Sequence, residues 1–227
     1  MIPILDNSDR ARHAVLFFWV YSVVILAFIG TKCVLLWEVN ELQTRGNVSD
    51  TLTNVYNWIS PLVSLSTFAI FIAVIIVFIQ WFRRAYHNLQ RGGNYIENSE
   101  GAAAWYWFIP ILNFSRPYKI MKEIWYETQG TYTSDLKSHG ILRVWWILFL
   151  LSNFRFEINV SGKSESLMRN TIIDISRGII TIPAILIAIY VVKQVASFEE
   201  QYMQQQKIES LGTIVPVTED NQEEEFY

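Results

Sequence analysis

The sequence predicts an all-α integral membrane protein, with about four transmembrane helices and a cytoplasmic re-entrant or interfacial amphipathic segment. Three observations carry this. Of 227 residues, 52% are hydrophobic and 17% charged, where a soluble domain has about 25% charged residues. The apolar residues gather into runs long enough to cross a bilayer. Lysine and arginine are shared unequally among the connections between those runs. The pI is about 5.7, the mean hydropathy +0.22 and the net charge −3, a balance that argues against nucleic-acid binding. Cys33 is the only cysteine, so a disulfide framework is excluded.

The first run is Ala14 to Trp37, about 36 Å long at about 1.5 Å per residue and enough for a core of about 30 Å. It exceeds the usual apolar region of a signal peptide and lacks a small-x-small cleavage pattern, so it reads as a retained anchor. The second, Trp58 to Phe82, contains no charge, and Trp58 and Trp81 stand at its ends where indoles favour the headgroup level. The third, Ile141 to Phe156, is short. Arg143 and Arg155 lie inside it, placed to snorkel to opposite interfaces, and Trp145 and Trp146 suit an interface. The fourth, Thr171 to Val192, carries Asp174 and Arg177 in its first turns and Pro183 near its middle. Between the second and third, Ala102 to Phe114 is too short to cross and is interrupted by Pro110, as in a re-entrant or interfacial segment.

Loop charge sets the orientation. Arg10 and Arg12 precede the first span, and loop 38–57 has Arg45 beside Glu38, Glu41 and Asp50. The connection after the second span holds Arg83, Arg84, Arg91, Arg116, Lys119, Lys122 and Lys137 and meets the third at Arg143. That connection is expected in the cytoplasm, with both termini on the same side. Arg155, Lys163 and Arg169, against Glu157 and Glu165, oppose this in the second outer loop. Residues 1–195 read as a single membrane domain. Residues 196–227 read as a polar, acidic and largely disordered cytoplasmic tail, with Ser197 to Leu211 suited to a frayed helix extending the fourth span.

Within the connection, Gly92 and Gly93 should end the second helix. A new helix should start at Ser115 as N-cap, with Pro117 in its first turn, and run through Trp125. Its stripe of Pro117, Ile120, Met121, Ile124 and Trp125 has amphipathic spacing, with Lys119, Lys122, Glu123 and Glu127 opposite. Such a stripe suits either the inner leaflet or the protein's own spans.

The run WFRRAYHNL followed by WYWFIPILNFSRPYKIMKEIW resembles the bacterial membrane proteins grouped as domain of unknown function 4328. The positions that carry the resemblance are Trp107, Pro110, Asn113, Pro117, Tyr118, Met121, Glu123, Ile124 and Trp125, after the pair Tyr86 and Asn88. The resemblance implies a bacterial multi-span protein of the cytoplasmic (inner) membrane. It implies no activity, catalytic residue or cofactor.

Few residues point to chemistry. His13, His87 and His139 lack metal-ligand spacing, and Cys33 in an apolar span suits packing. The Asn-x-Ser triplets at Asn47 and Asn159 mean little in a bacterial protein. Ionisable groups in the bilayer are the natural candidates. Lys32 is close enough to the outer end of its span to snorkel. Asp174 and Arg177 share a helix face, either as a self-neutralising pair or as a polar point in a translocation path. Arg84, Tyr86, Asn88, Asn113, Pro117, Tyr118, Glu123 and Trp125 form a candidate polar or docking cluster. Its polar groups serve either to satisfy backbone freed at a helix break or to line a cytoplasmic pocket.

The function these observations favour is a non-enzymatic scaffold or accessory subunit, its partners the bilayer and a membrane protein or a second copy. A small transporter or channel subunit using Asp174 and Arg177 is the alternative. An enzyme acting on lipid comes third, since no nucleophile–base pair is recognisable.

Overall fold

The computed structural model describes residues 3–130, 133–153 and 163–212, and these are helical throughout their ordered elements, with no strand among them. Helix α1 (Ser8–Arg45) and α2 (Asp50–Arg91) form an antiparallel hairpin. The loop expected over 38–57 is mostly helix, because each helix continues past its apolar run and only residues 46–49 turn. Gly46 makes that turn at φ 71°, donating its N–H to the Leu42 carbonyl at 3.1 Å. A side chain there would be strained. At the other end α2 stops as expected, Gly92 donating to the Asn88 carbonyl at 2.9 Å and Gly93 taking φ 88°.

Ala102 to Phe114 breaks into α3 (Glu100–Trp105) and α4 (Pro110–Asn113). Ser99 caps α3 by accepting the Ala102 N–H at 3.2 Å. Pro110 opens α4, where its missing N–H costs nothing. Helix α5 (Arg116–Gly130) begins where predicted and runs a further turn. Helix α6 (Gly140–Asn153) has 14 residues; residues 154–156 of its expected run, with Arg155, Glu157 and Asn159, lie outside the described residues. Helix α7 (Lys163–Gly212) is unbroken for 50 residues, with Pro183 inside it.

Helices α1, α2 and α7 are long and apolar enough to cross a membrane. Large apolar side chains cover their outer faces: Leu26 is 58% exposed, Leu65 66% and Phe68 64%. Water would penalise a continuous surface of this kind, and hydrocarbon does not. At about 1.5 Å per residue α7 reaches about 75 Å, more than twice the hydrocarbon thickness, so much of it projects beyond the core.

The core lies towards the shared end of these helices. Trp81, Phe82 and Tyr86 of α2, Ile120, Met121, Ile124 and Trp125 of α5, and Val192, Val195 and Phe198 of α7 are buried together. The amphipathic stripe of α5 is thereby resolved: it packs against the protein's own helices, while Lys119, Lys122 and Glu127 face outward.

Two expectations change here. Trp81, Trp145 and Trp146 are not exposed as headgroup-facing indoles would be, but buried within the protein. Phe78 meets Trp81 at 5.5 Å, and Trp107 meets Trp146 at 5.9 Å and Phe149 at 5.7 Å. Ring packing of this kind, edge-on in the two Trp107 pairs, covers the indoles. Residues 196–212 continue α7, as expected for Ser197 to Leu211 as a helix extending the fourth span, and Phe198 and Tyr202 carry on its buried face; residues 213–227 lie outside the described residues. Cys33 sits on the exposed side of α1, out of the packing expected for it.

Candidate functional site

Three polar side chains, from the start of α1, the end of α2 and the later part of α7, meet in the core. The Asn88 amide donates to Glu199 Oε1 at 2.7 Å and to the Leu5 carbonyl at 2.9 Å, while its Oδ1 accepts the Leu5 N–H at 3.0 Å. The Asn7 amide donates to Glu199 Oε2 at 3.1 Å and to the Trp81 carbonyl at 3.3 Å. All three side chains are buried. The start of α1, the end of α2 and the later part of α7 therefore lie on one side of the molecule. Burial pushes the Glu199 carboxyl up to about 7, against the two amides and Arg84, which favour its charge. Arg84 itself makes no hydrogen bond or ion pair among the described residues. It crowds Arg10, whose pKa is lowered first by burial and then by Arg84 and Arg83.

A second connection joins α2 to α5. The Tyr86 hydroxyl donates to Glu123 Oε2 at 2.9 Å and accepts the Asn98 N–H at 3.1 Å. Burial pushes Tyr86 up to about 12 and raises Glu123 as well. The remaining members of the predicted cluster serve packing. Pro117 is buried, Tyr118 lies 6.2 Å from the Trp146 ring, and Trp125 stacks edge-on to Phe198 at 5.1 Å. The Trp125 indole N–H donates to the Lys137 carbonyl at 2.9 Å, and Gln129 accepts the Lys137 N–H at 2.9 Å. Asn113 is apart from the rest, on the wall of a cavity described below. The expected cluster is thus two hydrogen-bonded junctions and a packed seam, not one pocket.

Towards the opposite end, Lys32 does not snorkel away but pairs with Asp174 at 2.8 Å. Arg177 lies 3.9 Å from Asp174 and donates from Nε and Nη2 to the Ser152 carbonyl at 3.3 and 3.1 Å. The predicted Asp174–Arg177 pair is a triad, and its shorter contact is with α1. Close helix approach permits this: a Cβ on Gly178 would stand 2.6 Å from Ile29 Cγ1.

Between α1, α2, α6 and α7 is a cavity of about 610 Å³, with Phe78 and Trp145 at one end and Asp174 and Arg177 at the other.

Sequence reasoning missed Asn7, Glu199 and the partner of Asp174. A signal for Glu199 existed: Val191, Val192, Val195, Phe198 and Tyr202 keep helical spacing past the apolar run, and Glu199 lies on that stripe.

The described residues thus define a helical protein, three of whose helices are long and apolar enough to cross a membrane, with its first two helices tied to α7 by buried polar contacts. A family model described as "Domain of unknown function (DUF4328)" matches residues 44–197, and the chain belongs to that family. No curated protein and no solved structure matches it. The matched stretch holds Asn88, Asp174 and Arg177, while Asn7, Lys32 and Glu199 fall outside it.

Proposed function

We propose that the protein is a four-span, non-enzymatic membrane scaffold of the bacterial inner membrane, presenting an ordered cytoplasmic platform to a membrane-protein partner. The observation that carries this is the Asn7–Asn88–Glu199 junction. Its polar groups are largely spent on one another and on backbone, so they fix the start of α1 and the end of α2 against α7. That arrangement suits holding a surface rather than turning over a substrate.

The topology is supported by the same contacts. With the end of α2 on the Glu199 side and Asp174 towards the other, the chain between them must return across the molecule. Helix α6 runs that way: Lys137, just before its start, donates to Gln194 Oε1 of α7 at 3.0 Å, and Ser152 near its end meets Arg177. The basic connection supports a cytoplasmic place for the Glu199 side. Trp105, Phe108 and Ile111 are exposed around α3 and α4, and Ile111 is 83% exposed. Such side chains favour an interfacial seat for this segment in the inner leaflet.

The platform's free face is the Lys119, Lys122 and Glu127 side of α5. Deleting the segment would remove core residues, so point changes are the cleaner test. Tagged protein extracted in mild detergent is analysed by native mass spectrometry, beside Lys119→Glu/Lys122→Glu. The expected result is a stoichiometric partner protein lost at least tenfold in the variant at unchanged melting temperature. A homo-oligomer carrying only lipid, or a partner retained equally by the variant, overturns the proposal.

A further inference from the structure

We infer that the cavity between α1, α2, α6 and α7 is a binding site for a single-chain anionic amphiphile, its chain along the aromatic walls and its head at Arg177. This goes beyond the platform reading and rests only on the protein being membrane-embedded. The volume of about 610 Å³ falls within the about 300–1,000 Å³ of small-molecule sites. Phe18, Phe71, Phe78 and Phe149 supply much of the wall. Phe78 of α2 and Trp145 of α6, both in the lining, meet with their rings 6.2 Å apart. A long apolar space of this kind in a bilayer is matched by a hydrocarbon chain.

The head is chosen by charge. Lys32 and Arg177 share the single carboxylate of Asp174, and these side chains are 16–29% exposed. Among the described residues this triad is left with one cation in excess. An unbalanced charge at low dielectric is costly, and a monoanionic head would bring two anions against two cations. The guanidinium is placed for it: Arg177 lies 3.9 Å from Asp174, and its nearest acceptor is the neutral Ser152 carbonyl. A planar fork of this kind takes a carboxylate or a phosphate equally well.

Full-length protein in neutral detergent is titrated with palmitate, with 1-palmitoyl lysophosphatidylglycerol and with hexadecanol, and binding is read by native mass spectrometry. At least one anionic probe is expected to bind one to one and at least tenfold more tightly than hexadecanol. Preference for palmitate assigns the head to a free fatty acid, and preference for the lysolipid assigns it to a phospholipid. Arg177→Gln is expected to lose about tenfold for the anionic probe with hexadecanol unchanged, while Arg177→Lys keeps most of the affinity. The wild-type comparison stands even if Arg177→Gln fails to fold. Failure of both anionic probes to bind, hexadecanol binding as tightly as they do, or a folded Arg177→Gln protein with unchanged affinity would each overturn the assignment. The α5 surface variant leaves these affinities untouched, which separates this test from that of the platform.

Discussion

Glu199 is the group whose ionisation the fold most opposes, and replacing it with glutamine tests that directly. Its carboxyl is raised from 4.5 to about 7, first by burial, with Asn88, Asn7 and Arg84 acting against the shift and Asp6 adding to it. For an acid raised in the folded state, the unfolded chain loses its proton first. Between pH 4.5 and 7 the folded chain binds more protons, so stability falls as pH rises through that window. At about 1.36 kcal/mol per pH unit, the penalty is complete above pH 7 and comes to roughly 3 kcal/mol. Glu199→Gln removes the slope. Thermal unfolding of both proteins in detergent, followed by tryptophan fluorescence from pH 4.5 to 8, compares them with the histidines' own titration cancelled. The variant should gain on the wild type towards pH 8, by on the order of 6–12 °C for a chain of this size. Parallel profiles across the whole range would refute the reasoning, since they would mean that Glu199 ionises as readily folded as unfolded.

Two further outcomes follow from the same geometry. Asn88→Ala removes both bonds to Leu5 and one donor from a buried carboxylate, so it should cost roughly 3 kcal/mol of thermal stability; a loss below about 1 kcal/mol would show that this junction does not hold the helix ends. Gly178→Ala should cost about 1–3 kcal/mol, because its Cβ would crowd Ile29. Ile29→Ala in the same chain should recover part of that loss, and a double-mutant cycle with no coupling would deny the contact.

The helices were legible in the sequence wherever a local rule governs them. Gly93, at φ 88°, and Pro110, which lacks an N–H, act through their own backbone, and each marks an expected boundary that the structure keeps. The stripe on α5 also told which face is apolar. It did not tell what covers that face, since leaflet and protein present the same hydrocarbon to it, and only the positions of α2 and α7 decide. The tryptophans failed as interface markers for a related reason. Trp81 lies at the end of an apolar run and Trp145 and Trp146 within a short one, yet neighbours from α2, α6 and the α3–α4 segment bury them.

For the polar site the difference is one of range. Asp174 and Arg177 are three residues apart, and helical spacing alone puts them on one face. Lys32, which makes the shorter contact with Asp174, comes from another helix. Asn88 was visible as a motif residue, but Glu199 is 111 positions away and Asn7 still farther from Glu199. The sequence by itself determined that the chain is helical, apolar enough for a membrane and interrupted around Pro110, because hydropathy, helix propagation and proline chemistry are local. Only the tertiary structure decided which polar groups are buried together, which cation pairs with Asp174 and where a cavity remains. Those outcomes depend on how distant helices cross, and a hydrogen bond between distant residues leaves no spacing in the chain to read.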